Sequence, residues 1–273
     1  MNLDRVLTEL SADPFISVDL AELNLHLAAD VYPELDVPVY LSQLDDLSER
    51  LAPRLSGDLT ARTAELGHFL FVECGFSGNT SDYYDPRNSY LNELLDRRLG
   101  IPISLAVLSM RVGEGCGLNV VGVGLPGHFI AKSIDRDEEV LFDPFHGGQL
   151  LDEAGCEELV SAVTGQPFHA HDDSLAATPP GLIVQRMLNN LKAVYLKGTD
   201  YGRAAKVIRR LMQVIPDDPS QERDLGACLL HVGLAGRAME HLQAYLTRTP
   251  GAEDVTAVRE LIKDARRQIA KWN

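Results

Sequence analysis

Apolar residues recur at helical spacing from residue 3 to about residue 74 of the chain. The spacing is clearest in two runs: Leu20, Leu23, Leu27 and Val31, then Leu41, Leu44, Leu47 and Leu51. Residues three and four apart lie on one face of a helix, so the pattern predicts three or four amphipathic helices. Turn-forming residues at Asp13-Pro14 and at Ser56-Gly57-Asp58 separate these helices.

Between residues 75 and 115 the pattern changes twice. The run GFSGNTSDYYDPRNSYL, which begins at Gly75, is rich in turn formers and predicts a loop, and a short helix follows over residues 89–98. A second helix is predicted from Pro102, because proline suits a first helical turn, where its missing N–H would have no partner. Its residues ISLAVLSMRVGEG are apolar in nearly every direction around the axis, so we expect a central helix that is buried on most sides.

Three short segments with strand character follow the central helix, over residues 119–123, 128–133 and 139–142. Turns at Gly124-Leu125-Pro126-Gly127 and at Asp135-Arg136-Asp137 connect them, which predicts an antiparallel meander. The stretch GQPFHAHDDSLAATPPG from residue 165 reads as a linker and places a domain boundary near residue 180. Residues 1–180 are therefore predicted as an α+β domain, in which a helical N-terminal segment precedes a central helix packed on an antiparallel sheet.

The C-terminal third, residues 181–273, has helical periodicity throughout and contains an internal repeat. When Pro216 is aligned with Pro250, 34 residues later, further positions match: Leu191 with Leu225, Ala204 with Ala238, and Ile208 with Leu242. A helix-turn-helix period of this length, with small residues where helices cross, resembles the tetratricopeptide repeat. The resemblance implies an all-α region of two repeats and a capping helix over about residues 254–271. The alternative is two unrelated helical hairpins whose alanines and prolines coincide.

Charge divides the chain at the same boundary. The protein has 273 residues and a net charge of −15, of which residues 1–180 carry −20 and residues 181–273 carry +5. The excess of negative charge disfavours nucleic acid and anionic membranes as partners. Four basic residues cluster on one predicted helix of the second module, and we expect them to dock the acidic module or an acidic protein partner: Arg203, Lys206, Arg209 and Arg210.

Cysteine usage and the N-terminus indicate a cellular compartment. Four cysteines lie far apart with no CxxC pair, which is typical of reduced thiols: Cys74, Cys116, Cys156 and Cys228. The N-terminus shows no signal-peptide pattern, and the longest apolar stretch, Ile101 to Met110, is about half of the roughly 20 residues that a membrane span requires. A cytoplasmic location is predicted.

Three residues with complementary chemistry follow one another along the predicted core. Ser104 lies at the start of the central helix, His128 at the start of a strand, and Asp143 at the end of the next strand. A helix N-terminus favours a thiolate or an oxyanion. A histidine can act as general base for a nucleophile, and a carboxylate can orient that histidine. The order therefore suggests a Ser-His-Asp site, with Asn88 of the preceding loop as an oxyanion or substrate-binding group.

The motifs around these residues resemble a known family. GFSGN, NSYL, RRLGIPISL, GVGLPGHF and DPFHGG, all between Gly75 and Leu151, resemble the bacterial SirB-type proteins, in which a transglutaminase-like domain precedes tetratricopeptide repeats. The resemblance implies a papain-like core with His128 and Asp143 at the family's positions, and Ser104 where the wider superfamily has its nucleophilic cysteine. A hydroxyl is a far weaker acid than a thiol, which argues against ordinary transglutaminase or cysteine-protease activity.

Two functions fit these observations. The first is a protein-interaction or regulatory factor, in which the core keeps a degenerate papain-like site and the repeats bind a protein or peptide partner. The alternative is an active hydrolase or acyltransferase of amide or ester bonds that uses Ser104, His128 and Asp143.

Each candidate residue also has a purely structural interpretation. Ser104 is a residue type that commonly caps helices, His128 could be a satisfied structural side chain, and Asp143 could form only a turn before Pro144. His146 adds a possible metal ligand beside His128 and Asp143, but the spacing is not that of a zinc motif, so no metal or cofactor is predicted. Cys74 and Cys116 lie away from the helix start and are not expected to act as nucleophiles.

Overall fold

A computed structural model describes residues 1–270 of the protein. Contacts between residues divide the chain into two units. The core unit contains Met1 and Phe15–Met187, and the repeat unit contains Asn2–Pro14 and the chain from Leu188 onward. Lys271, at the end of the predicted capping helix, lies outside the described residues.

The helices, in chain order, are α1 (Leu3–Ala12), α2 (Leu20–Ala29), α3 (Val37–Leu51), α4 (Leu59–Gly67), α5 (Leu91–Arg97), α6 (Pro102–Gly115), α7 (Glu153–Thr164), α8 (Pro180–Lys197), α9 (Tyr201–Val214), α10 (Ser220–His231), α11 (Ala235–Arg248) and α12 (Val255–Ala270). The strands are β1 (Ser77–Gly78), β2 (Leu99–Gly100), β3 (Val120–Leu125), β4 (His128–Asp135), β5 (Glu138–Asp143) and β6 (Gln149–Leu151). The mixture of helix and sheet, followed by a helical region, confirms the predicted fold class.

Helix α6 is the centre of the core unit, as its apolar sequence predicts. It packs against α3, β3 and β4. Pro102 occupies its first turn, and even Ser104 and Ser109 are buried along it. The N-termini of neighbouring helices are capped by acidic side chains: Asp19 accepts hydrogen bonds from the first turn of α2, and Asp58 does so for α4.

The main sheet is antiparallel with the strand order β3-β4-β5-β6. The predicted meander corresponds to the first three strands, whose hydrogen bonding joins Leu125 to His128 and Ala131 to Phe142. The pattern missed β6, which has three residues, and the parallel pair of β1 and β2, which have two residues each. Segments this short contain at most one period of alternation, so their pairing depends on neighbours rather than on their own sequence.

A close backbone approach joins α4 to the turn after β5. Helix α4 continues as a wider π-helical turn over His68–Glu73. Gly148 has a φ of +77°, and a Cβ placed there would lie 2.7 Å from Phe71 Cδ2 and 2.9 Å from Gly67 Cα. A Cβ on Gly67 would in turn lie 3.3 Å from the carbonyl oxygen of Gly148. The two glycines therefore allow the helix and the turn to touch through their backbones.

Helix α1 belongs to the repeat unit, whereas the sequence analysis placed it with residues 1–180. Its buried residues Leu7 and Leu10 lie on a helix that contacts α9, and its Asp4 pairs with Arg210 of α9. An amphipathic pattern shows that a helix has an apolar face, but it does not identify the surface that covers that face. The boundary between the two units lies between Met187 and Leu188, inside α8. The composition of the linker had suggested a domain boundary near residue 180.

Helices α9 to α12 of the repeat unit pack as successive neighbours, and the positions that match at 34 residues share one environment. All six members of the three aligned pairs are buried: Leu191, Leu225, Ala204, Ala238, Ile208 and Leu242. Helices α10 and α11 approach closely at Gly226, where a Cβ would lie 2.6 Å from Leu242 Cγ and 3.1 Å from the carbonyl oxygen of Ala238. Small residues at the crossing are therefore required by the packing.

Replacing Gly226 with alanine is expected to lower the free energy of unfolding of the repeat unit by about 2 kcal/mol, because the added methyl group overpacks the crossing with Leu242. Gly236 of α11 is a matched control, since a Cβ there meets no atom within 4 Å. Its replacement by alanine should instead stabilise the helix by up to about 1 kcal/mol. Urea unfolding followed by circular dichroism measures both changes, and equal effects at the two positions would contradict the proposed crossing.

The basic cluster predicted on α9 is partly paired within the repeat unit itself. Arg203 forms a salt bridge with Asp200 at 2.9 Å, and Arg210 pairs with Asp4 and with Gln213. Arg209 is exposed and, among the described residues, has no acidic partner. In the described part of the chain, no helix is long and apolar enough to cross a membrane.

Candidate functional site

Ser104 is the third residue of α6 and forms a reciprocal cap with the residue before the helix. Its Oγ accepts a hydrogen bond from the backbone N–H of Ile101 at 3.0 Å. The same hydroxyl donates to the carbonyl oxygen of Asn88 at 2.7 Å, which is shorter than its 3.1 Å approach to the carbonyl of Ile101. The side chain is only 2% exposed. The single hydroxyl proton of Ser104 is therefore directed at a backbone carbonyl.

Asn88 contributes its backbone carbonyl to Ser104, while its side chain organises the preceding loop. The side-chain amide donates to the carbonyl oxygens of Asp82 at 2.8 Å and Tyr83 at 3.3 Å. Its Oδ1 accepts a hydrogen bond from the side chain of Asn79 at 3.0 Å. Asn88 is completely buried. Both ends of the amide are thus bonded to the loop, and the predicted use of this side chain as a donor to an oxyanion has no support from this geometry.

His128 and Asp143 come together at one end of the sheet. His128 begins β4, Asp143 ends β5, and the distance from His128 Nε2 to Asp143 Oδ2 is 2.9 Å. Both side chains are buried. Burial opposes ionisation of Asp143, but hydrogen bonds from His128 and His146 outweigh it and hold the pKa of this carboxyl below its ordinary value.

The protonation of this pair leaves one nitrogen of His128 free. An ionised carboxylate only accepts hydrogen bonds, so Nε2 of His128 carries the proton that it shares with Asp143. Nδ1 of His128 has no hydrogen-bond partner among the described residues, and in a neutral imidazole it would be the acceptor. His128 can therefore accept a hydrogen bond from a bound ligand.

His146 is a second imidazole on the same carboxylate. Its Nδ1 lies 2.7 Å from Asp143 Oδ2, and its ring stacks on that of His128 with centroids 5.7 Å apart. Ligand atoms of His128, Asp143 and His146 lie within 4.8 Å of one another, so these are the residues that could hold a metal ion. A metal ion bound to Asp143 Oδ2, His128 Nε2 and His146 Nδ1 would have to replace both of these hydrogen bonds.

The four cysteines are free thiols, and none lies at the start of α6. Burial raises the pKa of the Cys156 and Cys228 thiols to about 11, and it also raises the pKa of Cys116. A thiol must lose its proton to act as a nucleophile. These three cysteines therefore lack the electrostatic environment of a reactive one.

Sequence reasoning missed several residues that shape the site. Tyr83 and Phe145 lie with their rings 6.0 Å apart, Phe145 is 6.0 Å from His128, and Tyr84 contacts Tyr83 at 5.4 Å. We call Tyr83, Tyr84 and Phe145 the aromatic rim. Their sequence context did contain a signal, because Tyr83 and Tyr84 lie in the turn-rich loop and Phe145 lies in the DPFHGG motif. Arg186 of α8, which binds the carbonyl oxygen of His128, had no local signal because its partners lie about 60 residues away in sequence.

Comparison with known proteins identifies the family. A model of the transglutaminase-like superfamily matches residues 39–189, more than half of the chain. A UPF0162 protein of Xylella fastidiosa is 34% identical over 255 residues, which cover 91% of this chain and 90% of that protein. The chain belongs to the UPF0162 family of transglutaminase-like proteins. A tetratricopeptide-repeat model matches residues 191–263, so the predicted order of the two modules is confirmed.

Other matches extend the comparison. A UPF0162 protein of Vibrio cholerae is 25% identical over 245 residues, which cover 88% of this chain and 90% of that protein. Among solved structures, the crystal structure of menin that reveals the binding site for Mixed Lineage Leukemia (MLL) protein is similar with a TM-score of 0.40 and 11% identity. That alignment covers 90% of this UPF0162 protein and 70% of the menin chain.

Proposed function

We propose that this UPF0162 protein is an interaction or regulatory factor with a degenerate papain-like site. In this proposal the transglutaminase-like domain binds an extended peptide without cleaving it, and the tetratricopeptide repeats bind a protein partner. The observation that carries the proposal is the hydrogen bonding of Ser104, whose hydroxyl is held between Asn88 O and Ile101 N.

Nucleophilic attack by a serine requires a base aligned with its hydroxyl proton. The proton of Ser104 is instead donated to a carbonyl oxygen at 2.7 Å, and the buried side chain has little room to turn away from it. Turning the proton away would break the hydrogen bond to Asn88, and moving the side chain would also remove the acceptor that caps α6. The position that is a nucleophile in the wider superfamily thus has a structural role in this proposal.

Peptide binding is supported by one unpartnered atom of the site and by the aromatic side chains beside it. Nδ1 of His128 can accept a hydrogen bond from a peptide N–H. The aromatic rim lies beside it, and two of its members are well exposed, Tyr83 at 39% and Tyr84 at 53%. Exposed aromatic side chains next to a free polar group are typical of recognition sites.

The repeat unit supports the second half of the proposal. Tetratricopeptide stacks present extended surfaces that suit protein partners. Residues 181–273 carry a net charge of +5, and exposed Arg209 and Arg237 have no acidic partner among the described residues. These features favour an acidic protein partner, and the free thiols fit work in the cytoplasm.

Activity-based labelling tests the absence of a nucleophile. The wild-type protein, Ser104→Ala and Ser109→Ala are treated with a fluorophosphonate probe and analysed by peptide mass spectrometry. Ser109 is a matched control, because it is buried on the same helix and donates to the carbonyl of Leu105 at 2.9 Å. We expect no modification of residue 104, and Ser104→Ala should cost about 1 kcal/mol of stability through loss of the cap.

The competing function predicts the opposite labelling. The His128–Asp143 pair is the observation that favours a hydrolase or acyltransferase, since it is the base and orienting acid of such a site. Stoichiometric modification of Ser104 in the wild type and in Ser109→Ala, but not in Ser104→Ala, would establish that function and end the present proposal.

A further inference from the structure

Arg186 is a half-buried cation that is bonded only to backbone oxygens. Its Nη1 and Nη2 donate to the carbonyl oxygen of Leu125 at 3.1 and 3.2 Å, and Nη2 also donates to the carbonyl oxygen of His128. A guanidinium has five N–H groups. The Nε–H and one N–H of Nη1 therefore have no acceptor among the described residues.

The charge of Arg186 is not compensated within the described chain. It forms no salt bridge with any residue that the structure describes, and its guanidinium carbon lies 5.2 Å from the ring centroid of buried Phe129. Burial lowers the pKa of the guanidinium, and the group that counteracts this is a phenol, Tyr83, rather than a carboxylate. The neighbouring buried cation Lys132 differs in this respect, because it pairs with Glu139 at 2.8 Å. Charges that are withdrawn from water are normally paired in proteins, and this half-buried charge has no anion beside it among the described residues.

Arg186 also borders the site that binds the peptide in our proposal. The carbonyl oxygen that it holds belongs to His128, whose side chain carries the free Nδ1. Tyr83, which interacts electrostatically with Arg186, belongs to the aromatic rim. A cation, a hydrogen-bond acceptor and exposed aromatic rings thus occur together on the core unit.

We propose that Arg186 is the counter-ion for a carboxylate on the bound peptide. This inference rests on the proposed function and specifies its ligand as a peptide with one carboxylate close to an aromatic or apolar side chain. A single unpaired cation suits a monoanion, and the net charge of −20 on residues 1–180 disfavours a phosphate dianion. The carboxylate comes either from a peptide C-terminus or from an aspartate or glutamate side chain.

Three small probes separate these sources in a ligand-observed NMR titration of the full chain. N-acetylphenylalanine offers a C-terminal carboxylate, N-acetylglutamyl-phenylalaninamide offers a side-chain carboxylate, and N-acetylphenylalaninamide offers none. We expect at least one acid to bind about tenfold more tightly than the uncharged amide. The acid that shows the preference identifies the source, and high salt should weaken its binding while leaving the amide unchanged.

Variants assign the preference to Arg186. Arg186→Gln should abolish the difference between acid and amide, and Arg186→Lys should retain part of it, because lysine keeps the charge but not the planar donors. Arg136→Gln is the control, since it removes an exposed arginine in the turn between β4 and β5, which belongs to neither proposed binding surface. Circular dichroism confirms folding, and the salt dependence of the wild type tests the inference even where Arg186→Gln does not fold.

Several results would overturn the inference. Equal binding of acid and amide by the wild type would refute the counter-ion while leaving peptide binding intact. A preference that survives in Arg186→Gln, or that is lost in Arg136→Gln, would also refute it, as would no binding of any probe. Failure of the proposed function itself is detected separately, by fluorophosphonate modification of Ser104.

Discussion

Replacement of Asp143 by alanine is expected to lower the free energy of unfolding by about 4 kcal/mol at neutral pH. Asp143 is 1% exposed and accepts four hydrogen bonds. Its Oδ2 binds the two imidazoles, and its Oδ1 binds the backbone N–H groups of Phe145 and His146. Without the carboxylate, a buried histidine and the turn after β5 lose their acceptor together.

The pH dependence of this effect has a definite sign. The pKa of Asp143 is lower in the folded protein than its ordinary value, so ionisation of this group favours the folded state. The contribution is fully present above the unfolded pKa of about 3.9 and is lost as the pH falls through the folded pKa. The stability difference between wild type and Asp143→Ala should therefore be constant above about pH 5 and should shrink below about pH 4.

Urea unfolding of wild type, Asp143→Ala and Asp135→Ala at several pH values measures these effects. Asp135 is the control, because it forms an ion pair with Arg62 at the protein surface, where such pairs contribute little. We expect its replacement to change the free energy of unfolding only slightly. A loss at Asp143 no larger than that at Asp135 would show that the carboxylate does not hold the site together.

The second large effect is expected at Asn88. The substitution Asn88→Asp keeps the shape of the side chain but removes the two N–H groups that bind the carbonyl oxygens of Asp82 and Tyr83. A buried carboxylate oxygen would then face two carbonyl oxygens, and the free energy of unfolding should fall by about 3 kcal/mol. Because this amide anchors the loop, the backbone N–H groups of residues 79–85 should also exchange faster with deuterium.

Asn189→Asp is the matched control for Asn88→Asp. Asn189 is exposed on α8, and its side chain forms no hydrogen bond with other described residues, so the same chemical change should alter stability by less than about 0.5 kcal/mol. Unchanged deuterium exchange of the loop in Asn88→Asp would contradict the anchoring role. An increase spread over the whole core unit would indicate general destabilisation rather than release of the loop.

The helices and the repeat were readable from the sequence because their signals are local or periodic. Leu20, Leu23 and Leu27 indicate a helix by their spacing alone, and Ala204 and Ala238 mark equivalent crossings because the same unit occurs twice. Helix α6 was readable for a related reason, since an apolar segment of that length must be buried on several sides.

The rest of the site depends on contacts between residues far apart in sequence. Asn24 of α2 binds the backbone N–H of Leu91 at 2.7 Å and the carbonyl oxygen of Ser89 at 3.0 Å, more than 60 residues away. Its sequence context is that of an ordinary amphipathic helix, and nothing there indicates a buried polar anchor. The orientation of the Ser104 hydroxyl likewise could not be predicted from the sequence, because it depends on the carbonyl group of a residue 16 positions earlier. Local pattern identifies such residues only when their partners lie nearby.

The contact between Gly67 and Gly148 restricts which substitutions the protein can accept at these two positions during evolution. At most core positions an enlarged side chain can be accommodated by a smaller one opposite. Neither glycine has a side chain to shorten, and each faces the backbone of the other. No second substitution at the partner position can therefore rescue a change at either one, and evolution can alter the pair only by moving the π-helical turn or the segment that carries His146.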